Sequence, residues 1–228
     1  MTSPSWDSYR GKLEAYFDRT AFEAWKTITS DAPVSRIRAT VRAGRDAMRA
    51  CLLDMLPGDL TGLRLLDAGC GTGALAVAAA ARGADVIAVD VSGQLVAIAR
   101  ERTPAGVAID YRVGDMLSPD LGTFDHVVAM DSLIHYPTSD IVAVVAALGT
   151  RTRHSIAFTV TPRSALLMTK LTVGNIFPRA DRAPAIIPAD IDGLTARLSA
   201  TMPGWRIGRQ QRVSGGFYTS HAIELIRG

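Results

Sequence analysis

The chain has 228 residues and a formal net charge of +3. Hydrophobic residues make up 48% of it and charged residues 21%, which is enough apolar material for one α/β domain with additions. No apolar run reaches the roughly 20 residues that a membrane-spanning helix needs, and the first residues lack the pattern of a secretory signal. The basic residues are scattered, which argues against a nucleic-acid partner and leaves a carboxylate-bearing substrate or an anionic membrane surface.

Taken in chain order, the first predicted elements are two helices. Apolar residues recur at helical spacing over residues 6–29 and, after the break at Pro33, again over 34–56. Pro57-Gly58 ends this segment, so residues 1–57 are predicted to form a helical N-terminal part.

Short apolar segments then alternate with helical ones. This alternation is typical of a parallel sheet with right-handed crossovers. Predicted strands cover 63–67, 86–90, 109–113, 124–130 and 155–160, and predicted helices cover 74–81, 94–102 and 138–148.

The last part of the chain completes the sheet. Residues 161–187 interrupt the alternation, and a helix is predicted over 188–200. Strands over 205–213 and 217–226 flank a glycine-rich hairpin turn. An antiparallel pair closing a mostly parallel sheet gives seven strands, so the predicted fold class is α/β and Rossmann-like.

A glycine-rich loop, Asp67-Ala68-Gly69-Cys70-Gly71-Thr72-Gly73, joins the first predicted strand to a helix. Glycines at these positions let the backbone turn tightly and approach a ligand closely. The helix start behind them suits a phosphate or the carboxylate of a methionine moiety. Gly69-x-Gly71-x-x-Ala74 also satisfies the dinucleotide fingerprint, so the glycines alone leave an NAD site open.

Acidic residues at three strand ends favour a cationic ligand. Asp67 directly precedes the glycines, Asp90 ends the second strand, and Asp115 ends the third. A pyrophosphate near Asp67 would be repelled, whereas a sulfonium and an ammonium group would be attracted. Met116 can pack on an adenine face. These positions favour S-adenosylmethionine (SAM) over NAD.

In this region, roughly residues 60–160 plus the terminal hairpin, the chain resembles class I SAM-dependent methyltransferases. The resemblance implies that Asp90 binds the ribose hydroxyls, that Asp115 holds the adenine with Met116, and that Asp67 orients the loop or contacts the methionine amine. Asp131, after the fourth strand, would face the sulfonium. The predicted cofactor-binding residues are Asp67, Gly69, Gly71, Gly73, Asp90, Asp115, Met116, Met130 and Asp131.

Four longer strings narrow the resemblance to magnesium-protoporphyrin O-methyltransferases of the (bacterio)chlorophyll pathway. They are Tyr16–Trp25, Val41–Arg45, Met130–Pro137 and Asn175–Arg179. In that family SAM methylates one propionate of Mg-protoporphyrin IX, giving the monomethyl ester. The resemblance implies a helical cap over the cofactor site at 1–57, a SAM-binding core at 58–160, an acceptor-side lid at 161–187, and a C-terminal helix and hairpin at 188–228.

Two residues are predicted to act on the acceptor. A propionate is already ionised near neutral pH, so the enzyme's work is positioning and partial desolvation rather than strong base catalysis. His135 is expected to orient the propionate by a hydrogen bond, or to take a proton if the acid binds neutral. Tyr16 would direct its hydroxyl to the methionine carboxylate or the reacting centre. A structural role for each is the competing interpretation.

The acceptor side and the partners follow from the same resemblance. Residues 161–187 mix apolar and basic side chains, which suits a macrocycle with propionates, an amphipathic helix on the sheet, or shallow membrane contact. The arginines from Arg36 to Arg49 form a solvated helix face, or they contact a propionate or a partner. The resemblance suggests the large porphyrin-binding subunit of magnesium chelatase as that partner.

We further expect a monomer in the cytoplasm, with peripheral contact to a cytoplasmic or photosynthetic membrane face. The only two cysteines, Cys51 and Cys70, are interpreted as cytosolic thiols. No protein-bound metal is predicted, because the sequence shows no clustered ligand set for one, and the magnesium would arrive in the porphyrin. Three alternatives stay open on the sequence: a class I methyltransferase for a quinone or small carboxylic acid, an NAD-binding oxidoreductase, and a porphyrin carrier without activity.

Overall fold

The computed structural model describes residues 4–19, 29, 35–163 and 185–228. Among the described residues, two helices precede the sheet: α1 (Pro4–Arg19) and α2 (Arg36–Asp54). The helix predicted over 6–29 is confirmed as far as Arg19 and wrong at Thr29, which lies in a turn, while residues 20–28 lie outside the described residues. Ser35 caps α2, its side chain accepting a hydrogen bond from the backbone amide of Arg38.

Seven strands form one sheet in the order β3-β2-β1-β4-β5-β7-β6. Strands β1 to β5 pair in parallel, and β7 runs antiparallel to both β5 and β6, so the predicted mostly parallel sheet with an antiparallel C-terminal hairpin is confirmed. The strands are β1 (Arg64–Ala68), β2 (Asp85–Asp90), β3 (Asp110–Val113), β4 (Phe124–Ala129), β5 (Thr152–Val160), β6 (Trp205–Gly215) and β7 (Tyr218–Arg227). The other α-helices in the described ranges are α3 (Ala74–Ala80), α4 (Gly93–Arg102), α5 (Thr138–Gly149) and α6 (Ile191–Thr201).

The central strands are apolar on both sides because helices cover both faces of the sheet. Leu65 and Leu66, adjacent on β1 and fully buried, belong to two different core clusters. The cluster of Leu65 includes α2, α3 and α4, and the cluster of Leu66 includes α5, α6 and the start of α1. Within the described part of the chain, no helix has the length and hydrophobicity to cross a membrane.

The described residues at the two ends of the segment between β5 and α6 lie next to each other. Pro162 forms a bridge to Ala189, and the amide of Ile187 donates to the carbonyl of Ile134 at 2.9 Å. Residues 185–190 therefore run extended, and α6 begins at Ile191 rather than at 188 as predicted. Residues 164–184, which hold most of the predicted lid, lie outside the described residues.

The strand order fixes where a ligand can bind. From β1 the sheet continues through β2 and β3 on one side and through β4 and β5 on the other. Such a reversal opens a crevice outside the carboxyl ends of the strands, between the loops that diverge there. The carboxyl ends of β1, β2 and β4 carry Asp67, Asp90 and Asp131, so the fold gathers the predicted acids at this crevice.

Candidate active site

A cavity of about 310 Å³ lies at this edge of the sheet. Most of the predicted site residues line it, although they come from different loops. Those lining it are Asp67, Gly69, Gly71, Asp90, Met116, Met130, Asp131 and His135. Tyr16, Gly73 and Asp115 are not among the residues that line it. Tyr16 is half-buried on α1, and the role predicted for it stays a prediction.

The glycine loop has the conformation that its sequence predicts. Gly69, Gly71 and Gly73 have φ angles of 84°, 53° and 81°, which only glycine adopts readily. A Cβ on Gly69 would lie 2.3 Å from the Cβ of Ser132. A Cβ on Gly73 would lie 2.5 Å from the hydroxyl of Tyr111. The loop therefore needs glycine both for its backbone angles and for its close packing.

Asp67 is a buried carboxyl group on the wall of the cavity. Its side chain is only 1% exposed, and its Oδ2 has no hydrogen-bond partner in the described part of the chain. Burial, and after it the negative charge of the nearby Asp90, raises the pKa of Asp67 to about 7, while a hydrogen bond from the backbone amide of Ala76 acts in the opposite direction. A buried acid with an unsatisfied oxygen suits a cationic ligand, because the ligand would supply the missing partner.

Asp90 is held by the backbone on both of its oxygens. Its Oδ2 accepts from the amide of Gly71 at 2.8 Å, and its Oδ1 accepts from the amide of Ser92 at 2.9 Å. Burial raises the pKa of Asp90, while these amide hydrogen bonds act in the opposite direction. The carboxylate thus joins the glycine loop to the end of β2, where it borders the cavity.

Asp115 is engaged by the N-terminal helix. Its Oδ2 accepts from the indole N–H of Trp6 at 3.2 Å and lies 3.6 Å from Nε of Arg10. Its Oδ1 accepts from the amide of Leu117. The adenine contact predicted for Asp115 stays a prediction, since the structure shows its carboxylate tethering α1. Met116, next to it, does line the cavity.

Two residues that the sequence did not indicate, Trp6 and Asp18, fasten α1 over the site. Trp6 is 2% exposed and stacks on Tyr136, a lining residue, with ring centroids 4.2 Å apart. At the other end of α1, Asp18 accepts from the hydroxyl of Ser92 at 2.5 Å. Asp18 was inside a string that carried the resemblance, but helical spacing alone could not reveal a partner on α4's cap.

His135 lies in a short 3-10 turn, Leu133–His135, after β4. The ring is buried and its Nδ1 is 3.3 Å from the carbonyl oxygen of Ala185. A carbonyl can only accept, so Nδ1 carries the proton of this hydrogen bond and Nε2 is the acceptor nitrogen of the neutral ring. The contact brings His135 beside residues that follow the predicted lid.

Asp131 lines the cavity, but its charge is compensated from within the protein. Its Oδ2 accepts from Nη1 of Arg45 at 2.7 Å, and the Tyr218 hydroxyl also donates to it. Arg42 and Arg49 of the same helix line the cavity too, so the arginines of α2 are not only a solvated face. The predicted contact of Asp131 with a sulfonium is not tested by these distances.

Comparison with known proteins agrees with this geometry. A family model described as "Magnesium-protoporphyrin IX methyltransferase C-terminus" matches residues 129–227, and one described as "Methyltransferase domain" matches residues 65–154. The magnesium-protoporphyrin O-methyltransferase of Rhodobacter capsulatus is 49% identical over 218 residues, which are 94% of this chain and 95% of that protein. The chain belongs to the magnesium-protoporphyrin O-methyltransferase family. The resemblance found in the sequence is thereby confirmed.

Two solved structures of a family member share the fold. Both are magnesium protoporphyrin IX methyltransferase from Synechocystis PCC 6803, one with bound S-adenosylhomocysteine (SAH) and one with bound SAM. The first has a TM-score of 0.82 and 27% identity, covering 96% of this chain and 99% of that one. The second has a TM-score of 0.78 and 25% identity, covering 96% and 97%. The class I fold assigned to this member of the family is confirmed.

The buried Asp67 predicts proton release on SAM binding. Because its pKa is about 7, the carboxyl must lose a proton to face a cation, so SAM affinity should rise with pH. We expect a gain of about tenfold between roughly pH 6 and pH 8 in wild type, and none attributable to this site in Asp67→Asn. Calorimetry in two buffers of different ionisation enthalpy would measure the affinity and the proton release.

The Asn variant is the matched control, because titration of the ligand's own amine is common to both proteins. Without ligand, the sign for stability is opposite. A raised carboxyl pKa lets the folded state hold more protons than the unfolded state, so this group's contribution to stability falls as pH rises to about 7. Asp67→Asn should therefore gain thermal stability relative to wild type across that range. Identical pH profiles in the two proteins would contradict the assignment.

Asp90→Ala should weaken binding of both SAM and SAH. A hydrogen bond involving a charged group is worth roughly 1.5–3 kcal/mol, or about 12- to 150-fold in affinity. The variant also removes the acceptor for the amides of Gly71 and Ser92. Asp85→Ala is the matched control, because it lies at the exposed start of the same strand. Equal affinities for the two variants would contradict the role of Asp90.

Proposed function

We propose that this protein transfers the methyl group of SAM to a propionate carboxylate of Mg-protoporphyrin IX, giving the monomethyl ester. The observation that carries the proposal is 49% identity to a magnesium-protoporphyrin O-methyltransferase over nearly the full length of both chains. The cavity at the strand ends supports it, because a glycine loop and a buried acid there suit a ligand with a nucleoside and a positive charge. The same identity argues against the two other classes of function, an NAD-binding oxidoreductase and an inactive carrier.

The cofactor fits the residues of this chain. Gly69 and Gly71 leave room for close approach to the backbone, Asp90 borders the cavity where a ribose diol would bind, and Asp67 offers a negative charge to the methionine amine or the sulfonium. When bound, SAM supplies an electrophilic methyl group. The acceptor oxygen bonds to that carbon as the carbon–sulfur bond breaks, leaving the neutral thioether SAH.

The chain's own part in the reaction is positioning and exclusion of water. An ionised propionate needs no base, and removing it partly from water makes it a stronger nucleophile. Met116, Met130 and Leu13 give the cavity apolar walls that serve this purpose. A carboxylate that is held in line with the methyl carbon also reacts faster, because its orientation is already fixed.

His135 is the residue we assign to the acceptor. With Nδ1 donating to Ala185, the neutral ring can accept a proton at Nε2 from a propionic acid that binds uncharged. As an imidazolium it would instead donate at Nε2 to an ionised propionate. Tyr16 is assigned to the methionine carboxylate or the reacting centre, on the family resemblance alone.

Delivery of the pigment and contact with a membrane are two further parts of the proposal. The large subunit of magnesium chelatase would hand over the porphyrin, and the mixed apolar and basic residues of 161–187 would rest on the acceptor or a membrane face. Both ideas stem from sequence. Co-sedimentation with anionic vesicles, and pull-down with that subunit, would test them separately; no binding in either assay would remove the corresponding part.

The catalytic proposal is tested by incubating the protein with SAM and Mg-protoporphyrin IX and measuring the mass of the product by mass spectrometry. A gain of one methyl group, with SAH formed in equal amount, is the expected result. A quinone and a short carboxylic acid serve as competing acceptors. Methylation of either of these but not of the porphyrin would overturn the assignment of the acceptor, while leaving the methyltransferase class intact.

His135→Ala should lower kcat roughly 100-fold with little change in SAH affinity, because the ring acts on the acceptor and not on the cofactor. Turnover assays and calorimetry with SAH measure the two quantities. His154→Ala is the matched control, since that histidine has a side chain 60% exposed near the start of β5. If kcat and SAH affinity of His135→Ala both equal wild type, the histidine is structural.

A further inference from the structure

We propose that Asp131 is a positioning residue that fastens helix α2 and strand β7 to the loop carrying His135. This rests on the proposed function, because the loop and the helix both line the cavity where methyl transfer would occur. Three observations support this role independently: the backbone conformation of Asp131, the hydrogen bonds of its carboxylate, and the packing of α2.

The backbone of Asp131 is held in an uncommon conformation. Its φ of 52° is the only positive value for a non-glycine residue in the described part of the chain. Such a conformation is unfavourable for most side chains and persists where the surroundings impose it. The two residues beside it, Met130 and Ser132, line the cavity. Ser132 also donates to the carbonyl of Ala68 at 2.9 Å, so the loop is tied to the end of β1.

The carboxylate of Asp131 gathers donors from three separate elements. Arg45 of α2 donates at 2.7 Å, and the hydroxyls of Tyr218 and Ser220 on β7 donate at 3.1 Å and 3.3 Å. Thr159 of β5 donates to Oδ1 at 3.2 Å and accepts from the Asp131 amide at 2.7 Å. Since the side chain is only 8% exposed, these bonds are little weakened by water.

Tyr218 links the carboxylate to the packing of α2. Burial, together with the negative charge of Asp131, raises the pKa of Tyr218, so its hydroxyl stays protonated and can donate. Its ring packs on Gly44, where an added Cβ would lie 2.5 Å from Cδ1. Arg45 is the next residue on the helix, and it reaches the same carboxylate. Asp131, Tyr218 and this turn of α2 therefore form one contact.

A second contact keeps α2 in register with the hairpin. Thr40, one turn earlier, packs against Gly216, where a Cβ would lie 2.4 Å from its Oγ1. The amide of Phe217 donates to the same hydroxyl at 3.4 Å. Helix α2 thus rests on the β6–β7 turn through Thr40 and on β7 through Gly44, and Arg45 extends the contact to the loop that carries His135.

The consequence for the reaction is geometric and electrostatic. Arg42, Arg45 and Arg49 bring α2 to the cavity wall, so the position of α2 decides the shape of that wall. Asp131 also neutralises the Arg45 charge in a cavity that must admit a cation. Without the carboxylate, the helix is less firmly held and its arginine repels a sulfonium.

Asp131→Asn tests this role, because asparagine tolerates the same backbone conformation and keeps an acceptor for the hydroxyls while removing the charge. We expect kcat, normalised to the concentration of SAH-binding sites, to fall roughly 10- to 100-fold, because small displacements at a reacting centre lower the rate by about this factor. Affinity for SAM should fall more than affinity for SAH, because only SAM carries the sulfonium. Hydrogen exchange over residues 36–54 should increase.

Asp110→Asn is the matched control, because Asp110 forms an exposed pair with Arg112 at 2.6 Å on the edge strand. It should leave kcat, the SAM/SAH affinity ratio and exchange in α2 unchanged. Arg45→Lys should retain more activity than Arg45→Met. The double variant of Asp131→Asn with Arg45→Met should be no worse than the poorer single variant, since both remove one interaction.

A wild-type kcat per SAH-binding site and an unchanged SAM/SAH ratio in Asp131→Asn would overturn the proposal, even with a lower melting temperature. If that variant does not fold, Tyr218→Phe and Gly44→Ala decide, because each disturbs the contact without changing charge. Full turnover and unaltered exchange in both would equally overturn it. If wild type fails to methylate the porphyrin, the proposed function fails, while the exchange and affinity measurements still report on the contact.

Discussion

The site depends on a carboxyl group that the fold buries with one of its two oxygens unsatisfied. Asp67 lies at the carboxyl end of β1, next to the point where the order of the sheet reverses, and its Oδ2 is unsatisfied in the described part of the chain. Burying such a group costs free energy that folding alone does not recover. A cation bound in the cavity would recover it, so the same feature that weakens the ligand-free protein favours binding. Residual instability at a binding site is a common cost of function.

A second acid at the same edge has the opposite environment. Asp131 receives donors from Arg45, Tyr218, Ser220 and Thr159, so its charge is compensated before any ligand arrives. The two acids therefore have different roles: Asp67 leaves a charge available to the ligand, and the charge of Asp131 binds together the elements that line the cavity. Chemically identical side chains differ here only in which helices and strands reach them.

The N-terminal helix completes the cavity by a few long-range contacts. Trp6 stacks on Tyr136 and donates to Asp115, while Asp18 reaches Ser92 at the start of α4. These contacts fasten both ends of α1 to loops that border the cofactor region. The helix itself has a mixed polar surface, so its position depends on these anchors more than on a broad apolar face.

Local patterns determined most of the fold and the identity of the loop. The alternation of apolar strands with helices predicted the five parallel strands that precede the interruption, and the glycine-rich turn predicted the C-terminal hairpin. The glycines of 69–73 are required by local backbone angles, which a glycine-rich loop between a strand and a helix indicates in the sequence. The strand-end acids could be named as well, because carboxyl ends of parallel strands meet at one edge. The start of α6 was misplaced, because the extended run through Ala189 is set by a bridge to Pro162.

Only the tertiary structure decided what each acid does. Arg45 and Tyr218 are 86 and 87 positions away from Asp131, and Trp6 is 109 away from Asp115. No periodicity or motif connects residues at such separations, since their meeting depends on how whole elements pack. The sequence by itself therefore determined where the acids lie along the strands, and the packing of α1, α2 and β7 decided which of them face the ligand uncompensated.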